Sequence, residues 1–233
     1  LKLLELAPNE HLLIMNNHHI ISDGWSMGIL IHKVIQAYNQ LLRGSTVVLS
    51  SPSIQYADYS HWITQILTTQ EVQNMGKYWF NKLGGKVAQL QLPLDFERPE
   101  ILGIEGSSMK IVLDEDRKAA LRMFQKENNL TLFQNFLVMV KALLFRVSGQ
   151  TELVVGTTVA LRNHPQLDDQ IGILINYLVL RDYLDPSQSL DKFAASVQQT
   201  LLEGIENDLF PFPLLLDSID YDKEPGRHPI FSV

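Results

Sequence analysis

The chain has 233 residues, 45% of them hydrophobic and 19% charged, with a formal net charge of -7. This is the composition of a globular protein, and mild acidity without Lys or Arg runs argues against nucleic acids and anionic membranes as partners. Because the chain has no cysteine, disulfides and cysteine-based metal sites are excluded. No apolar run reaches the ~20 residues of a membrane span and no signal peptide is recognisable, so we expect a cytoplasmic protein.

The first predicted elements are a strand and a helix that meet at a histidine pair. Residues His11 to His19 ("HLLIMNNHH") form an apolar run after the turn signal "APNE", which predicts a buried strand. Apolar residues then recur at helical spacing as far as Leu42, with Ser26 as the predicted N-cap and Gly44 as the stop. The stretch "NNHHIISDGWS" (16–26) therefore lies at a strand-to-helix junction, where unpaired backbone N–H groups are available to a ligand.

The rest of the pattern alternates helices and strands. A second helix is expected at Ser53–Leu67, and the Gly- and Pro-containing segment Gly84–Gly103 is the best linker. The elements expected after it are a strand at 108–114, a helix capped by Asp114, a helix from Thr131 to Gly149, strands at 152–160 and 171–184, a helix from Ser189 to about Asn207 and an irregular segment at 209–219. This alternation favours an α/β layered architecture with two lobes.

The adjacent histidines, His18 and His19, have three interpretations. Neighbouring strand residues point to opposite faces, so the two imidazoles would not converge on one ion, and no metal site is expected. Two structural core histidines would have to be buried together with Asp23, and each of these polar groups would need a partner. A polar cavity at the end of the strand, with one histidine acting in chemistry, explains all three side chains.

The chemistry available to this motif is proton transfer without a covalent nucleophile. A neutral imidazole accepts a proton at physiological pH, but the chain has no cysteine and no serine in a G-x-S-x-G elbow. These features favour direct transfer between two bound substrates. Asp23 could orient the imidazole, or it could pair with an arginine and hold the loop, and its place four residues away in a turn favours the second role. Gly24 allows close backbone approach and offers an N–H group to a developing oxyanion.

The segment "HHIISDG" (18–24) resembles H-H-x-x-x-D-G, the signature of the condensation domains of nonribosomal peptide synthetases. The signature occurs more loosely in chloramphenicol acetyltransferase-like enzymes. Segments that resemble further motifs of the family follow in order: "YADYSHW" (56–62), "LPLDFERP" (92–99), "VVGTTVALRN" (154–163) with "IGILINYLVLR" (171–181), "NDLFPFPLLLD" (207–217) and "GRHPIFSV" (226–233). Together they cover essentially the whole chain, which is identified as similar to this family.

The resemblance implies an α/β (α+β) two-layer fold of two chloramphenicol acetyltransferase-like lobes with a tunnel between them. Residues 1–95 would form the C-terminal part of the N-lobe, truncated at its N-terminus, and residues 96–233 the linker and most of the C-lobe. Because two early motifs of the family have no counterpart here, we expect an internal fragment that is inactive by itself.

The implied reaction is amide-bond formation, in which the amine of an acceptor aminoacyl thioester attacks a donor acyl or peptidyl thioester. Both groups would be carried on 4'-phosphopantetheine arms of an upstream donor and a downstream acceptor peptidyl carrier domain. An adenylation domain would lie in the same polypeptide, and no cofactor would bind this domain directly. Three alternatives remain: a non-catalytic condensation-like module that recruits partner enzymes, a stand-alone CoA- or carrier-dependent acyltransferase, and an epimerising relative.

The resemblance also assigns roles within the motif. His19 takes the catalytic position, either as general base or by positioning the amine and stabilising the tetrahedral intermediate. His18, Asp23 and Gly24 support it, and the arginine partner of Asp23 is expected upstream of this chain. Thr158, Leu174 and Tyr177 replace a common proline, phenylalanine and threonine, changes expected to reshape the acceptor pocket.

Three residues fall on family positions near the tunnel or the lobe junction: Trp62, Asn176 and Arg181. Each has a structural interpretation as well. Trp62 lies at helical spacing from other aromatic residues and would suit packing. The Asn176 amide, in an apolar strand, needs hydrogen-bond partners in either role. Arg181 would pair with Asp182 or Asp185 on the surface.

Overall fold

The computed structural model describes residues 1–101, 103, 105–221 and 226–233. The chain groups into two compact units: unit 1 comprises Leu1–Thr68 and Ala160–Ile175, and unit 2 comprises Thr69–Val159 and Asn176–Val233. The predicted mixture of helices and sheet is confirmed. The lobe boundary expected after residue 95 is not one of the boundaries between these two units. It stays a prediction.

Unit 1 begins with a two-stranded antiparallel hairpin, β1 (Lys2–Ala7) and β2 (Glu10–Ile14), whose turn places Asn9 at φ 67°. The buried strand expected at 11–19 is wrong in two respects: β2 ends at Ile14, and all its residues are exposed. The apolar run predicted a strand correctly. Burial depends on what packs against a strand, which a local pattern does not contain.

Helix α1 (Gly24–Leu42) follows the histidine pair, and its N-cap is Asp23 instead of the expected Ser26. The Asp23 carboxylate accepts a hydrogen bond from the Ser26 backbone N–H group (2.7 Å), as an N-cap side chain does. At the other end Gly44 adopts φ 69°, so the predicted stop is confirmed.

Helix α2 (Tyr56–Ile66) lies within the predicted range and starts with a capping box formed by Gln55 and Asp58. Its buried side chain, Tyr59, packs with Leu167 and Leu174 in the apolar cluster of unit 1. Leu167 ends a short 3-10 helix, Pro165–Leu167, in the segment that returns to this unit.

Unit 2 has these elements in chain order: α3 (Gln70–Lys82), α4 (Glu115–Glu127), α5 (Leu132–Ser148), β3 (Glu152–Ala160), β4 (Ile175–Tyr183), α6 (Leu190–Glu206) and α7 (Phe212–Leu216). The terminal residues Ala160 and Ile175 of the β3–β4 sheet belong to unit 1. The predicted caps Asp114, Thr131 and Ser189 are confirmed, as is the stop at Gly149 (φ 72°). These signals are local, which is why the sequence predicts them well.

Three expectations for unit 2 differ from the structure. Residues 108–114 form no strand, and Met109, Ile111 and Val112 are exposed, because a strand also needs a partner for its hydrogen bonds. Strand β4 begins at Ile175, four residues later than expected. The proline-interrupted segment at 209–219 contains α7, whose proline lies in the first turn, where no N–H donor is required. The described part of the expected linker, 84–101 and 103, contains no helix and only an isolated bridge at Val87.

The core of unit 2 contains a buried ion pair. Lys141 of α5 is fully buried, and its Nζ donates to the Leu180 carbonyl (2.8 Å) and to the Asp182 carboxylate. The other Asp182 oxygen accepts from the Thr200 hydroxyl (2.6 Å).

Among the described residues no single helix is long and apolar enough to cross a membrane. Of the helices that the structure describes, only α4 and α5 taken together, with a bend of 105° between them, have the length and apolar composition of a membrane span.

Candidate functional site

The two histidines lie outside β2, in an exposed turn. His18 is the N-cap of a 3-10 helix, His19–Ile21, and its Nδ1 accepts a hydrogen bond from the Ile20 N–H group (3.1 Å). Both imidazoles are exposed. Two sequence arguments therefore fail here. The histidines do not lie in a strand, so they do not alternate between its two faces. Both imidazoles are exposed, so no free energy of burial has to be offset by a partner. No group of three or more His, Cys, Asp or Glu side chains suited to a metal ion occurs in the described part of the chain.

The Asp23 carboxylate, in contrast, is 3% exposed and has four donor groups around it. Its Oδ1 accepts from the backbone N–H (2.7 Å) and the hydroxyl (2.6 Å) of Ser26, and its Oδ2 accepts from the Leu174 N–H (3.1 Å). The Arg162 guanidinium contacts both oxygens at 3.2 and 3.3 Å. The expected arginine partner therefore exists, but its predicted place upstream of the chain is wrong.

Arg162 lies 139 residues after Asp23, and the two meet because the segment Ala160–Ile175 folds back onto the start of α1. A signal for this residue was available in the sequence, since Arg162 is the arginine of the segment that resembles G-x-P-x-A-x-R. What the sequence could not provide was the pairing, because a motif gives residue types and not the distance between segments.

The surroundings of Asp23 keep it ionised. Burial by itself raises the pKa of this carboxyl group. The hydrogen bonds from Ser26 and Leu174 and the Arg162 charge outweigh burial, so the pKa lies below its ordinary value. Within the described residues no hydrogen bond joins Asp23 to His19. The Asp23 carboxylate thus makes its hydrogen bonds to groups that hold the fold, and not to the His19 imidazole.

The residues that follow Asp23 hold the same returning segment, 160–175. The Ser26 hydroxyl lies 2.8 Å from the Gly172 carbonyl and accepts from the Gly172 N–H (3.1 Å). The Trp25 indole N–H donates to the Asp168 carbonyl (3.1 Å), and the Arg162 guanidinium stacks 5.5 Å from the indole centre. Sequence reasoning missed Ser26 and Trp25 in this role, since neither residue type by itself indicates a distant partner.

Gly24 is exposed, and a Cβ added to it would meet no atom within 4 Å. No close approach in the described structure requires a glycine there, so its contact with a reacting group stays a prediction. Trp62 is 42% exposed on α2, with its ring centre 5.9 Å from that of Tyr59.

The other two predicted residues are in unit 2, where both make structural contacts. The Asn176 amide donates to the Asp208 (2.7 Å) and Phe210 (2.8 Å) carbonyls and accepts from the Phe212 N–H (3.1 Å). It therefore fixes the backbone of residues 208–212, and its buried amide is satisfied.

The structural interpretation of Arg181, a surface pair with Asp182 or Asp185, is wrong, because its Nε donates to Glu152 (2.8 Å). Its Nη1 donates to the Gly84 carbonyl (3.0 Å), and its guanidinium lies 5.5 Å from the Tyr183 ring centre. Asp182 is occupied by Lys141 in the core, which explains the difference.

The fold is that of the chloramphenicol acetyltransferase-like class. The chain superposes on the X-domain from teicoplanin biosynthesis with a TM-score of 0.84 and 24% identity, covering 93% of this chain and 49% of that one. It matches a holo four-domain nonribosomal peptide synthetase bound to AMP and glycine with a TM-score of 0.76 and 25% identity, covering 90% of this chain and 16% of that one.

The family model "Condensation domain" matches residues 1–233, and the chain belongs to this family. Among curated proteins it is 34% identical over 230 residues to bacitracin synthase 3 of Bacillus licheniformis. That match covers 99% of this chain and 4% of the relative. The chain thus spans only a small part of the length of that relative.

Proposed function

We propose that His19 is the catalytic residue of a condensation domain that forms amide bonds between two thioester-bound substrates. The observation that carries this proposal is the division of the motif. The His19 imidazole is exposed, while the Asp23 carboxylate four residues later is buried and bound to Arg162, Ser26 and Leu174. One end of the motif is free to meet substrate, and the other end holds the fold.

In the proposed reaction the nitrogen of the acceptor amine attacks the carbonyl carbon of the donor thioester. A C–N bond forms, the C–S bond breaks, and the proton lost by the amine balances the departing thiolate as a thiol. His19 accepts that proton, or it positions the amine and stabilises the tetrahedral intermediate. Backbone N–H groups at the start of α1, near Gly24, are suited to the oxyanion by their partial positive charge.

The substrates and partners belong to the same proposal. The donor and acceptor groups would arrive on 4'-phosphopantetheine arms of two peptidyl carrier domains, next to an adenylation domain in one cytoplasmic polypeptide. His18 would shape the turn that presents His19, through its hydrogen bond to the Ile20 N–H group. Asn176 and Arg181 would keep the backbone around 208–212 and 84 in place.

The test is product formation by the whole polypeptide with both carrier domains loaded. His19→Ala should lower the single-turnover rate by about 100-fold or more, the usual contribution of a general acid or base. His11→Ala is the matched control, because His11 is another exposed histidine of unit 1, and it should leave the rate unchanged. A His19→Ala protein that forms product at the normal rate would overturn the assignment.

The same assay separates the alternative functions. A wild-type protein that forms no amide from loaded carriers but binds partner enzymes would be a recruiting module. Product from CoA thioesters without carrier domains would indicate a stand-alone acyltransferase, and inversion of a substrate centre an epimerising relative.

A further inference from the structure

A cavity of about 330 Å³ lies in unit 1, beside the first two turns of α2. It is lined by Ile54, Asp58, Tyr59, Trp62, His164, Gln166 and Leu167. Its volume falls in the range of sites that bind small organic molecules. None of the lining residues belongs to the His19 motif, and the family resemblance gives only one of them, Trp62, a position near the tunnel or the lobe junction.

The floor of the cavity is apolar and includes two aromatic rings, those of Tyr59 and Trp62. Tyr59 and Leu167 are each 6% exposed and are part of the apolar cluster of unit 1. The Trp62 indole stands beside them, 42% exposed, with its ring centre 5.9 Å from that of Tyr59. Covering an exposed indole removes apolar surface from water, which favours binding. The floor therefore suits a flat apolar group.

The rim of the cavity is polar and carries negative charge. The Asp58 side chain is exposed, and its Oδ2 accepts a hydrogen bond from the Gln55 N–H group (2.7 Å). The His164 Nδ1 accepts from the Gln166 N–H group (3.2 Å), so a neutral His164 ring has its proton on Nε2. Among the lining residues that the structure describes, Asp58 is the one carboxylate, and none is a lysine or an arginine.

A carboxylate next to an indole attracts a cation in two ways. The carboxylate acts through its charge, and the indole acts through the negative face of its ring. An anion of the same size would be repelled by Asp58, and a neutral analogue would gain only from the apolar floor. The lining thus selects by charge as well as by shape.

We propose that this cavity is a binding site for a primary organic ammonium attached to a flat apolar group. The apolar group lies over Tyr59 and Leu167 against Trp62, and the ammonium group lies at Asp58. The site does not depend on catalysis by His19, so either proposal can fail without the other.

The test uses 2-phenylethylamine as the probe, with 2-phenylethanol and phenylacetate as neutral and anionic analogues. Binding to the whole chain is measured by ligand-observed NMR titration at neutral pH. We expect the amine to bind about tenfold or more tightly than the alcohol, and phenylacetate to show no saturable binding. Equal binding of the amine and phenylacetate would overturn the proposal.

Two variants connect that preference to the cavity. Asp58→Asn keeps an oxygen for the Gln55 N–H group and removes the charge, so it should abolish the difference between amine and alcohol. Trp62→Leu should weaken both ligands. Asp168→Asn is the control, because Asp168 is an exposed aspartate of the same unit that does not line the cavity. An Asp58→Asn protein that still prefers the amine, or an equal effect of Asp168→Asn, would contradict the site.

Discussion

Two buried ion pairs of this chain, one in each unit, look alike in exposure and differ in how they are supported. The Asp23–Arg162 side chains are each 2% exposed, and the Lys141–Asp182 side chains are 0% and 3% exposed. The Asp23 carboxylate also accepts hydrogen bonds from Ser26 and Leu174. These donors lower the pKa of Asp23 in spite of burial, so the fold favours its charged form.

Lys141 has the opposite balance. Burial lowers the pKa of the Lys141 ammonium group, and the nearby Asp182 charge and hydrogen bond offset that only in part. The charged form of this lysine is therefore less favourable in the folded chain than in water. The comparison teaches that two ion pairs of similar exposure can differ in whether the charged form is favoured, because the hydrogen bonds and charges around each group decide whether the cost of burial is outweighed.

The largest effect is expected when the better-supported pair is broken. Asp23→Ala leaves the Arg162 guanidinium buried without a carboxylate and removes the cap of α1, so the free energy of unfolding should fall by about 3–5 kcal/mol. Urea unfolding followed by circular dichroism measures this change. A variant as stable as wild type would show that the pair does not hold segment 160–175.

The pair in unit 2 should behave differently when both partners are replaced. Lys141→Met combined with Asp182→Leu puts apolar side chains of similar size in the core, and we expect unfolding free energy to stay unchanged or rise by about 1–4 kcal/mol. Asp182→Leu alone, which leaves the ammonium group unpaired, is the control and should destabilise. A double variant no more stable than that single variant would remove the contrast between the two pairs.

The smallest expected effect is a difference in acid stability. The pKa of Asp23 is lower in the folded chain than its ordinary value, so the unfolded chain binds more protons in the acid range. The stability that Asp23 contributes is fully present at pH values above its pKa in the unfolded chain, about 3.9. It is lost as the pH falls through its lower pKa in the folded chain. Between pH 6 and pH 3, the unfolding free energy of the Asp23→Asn variant should therefore fall less than that of the wild type.

Local signals in the sequence were sufficient for much of the fold. Asp114 and Thr131 accept hydrogen bonds from backbone groups three residues away, and Gly149 ends its helix through its own φ angle. Residues 108–114 show the limit, because a strand requires a partner from elsewhere in the chain. At the site, the motif predicts His19 and Asp23 as candidates, but only the folded chain brings Arg162 to Asp23.

The central claim is that the motif divides between His19, for chemistry, and Asp23, for the fold. It is tested most directly by measuring unfolding free energy and single-turnover product formation on His19→Ala and Asp23→Ala variants of the whole polypeptide. We predict that His19→Ala keeps wild-type stability and loses product formation by about 100-fold or more, while Asp23→Ala loses stability. An Asp23→Ala protein with wild-type stability and no product, or an unstable His19→Ala protein, would contradict the claim.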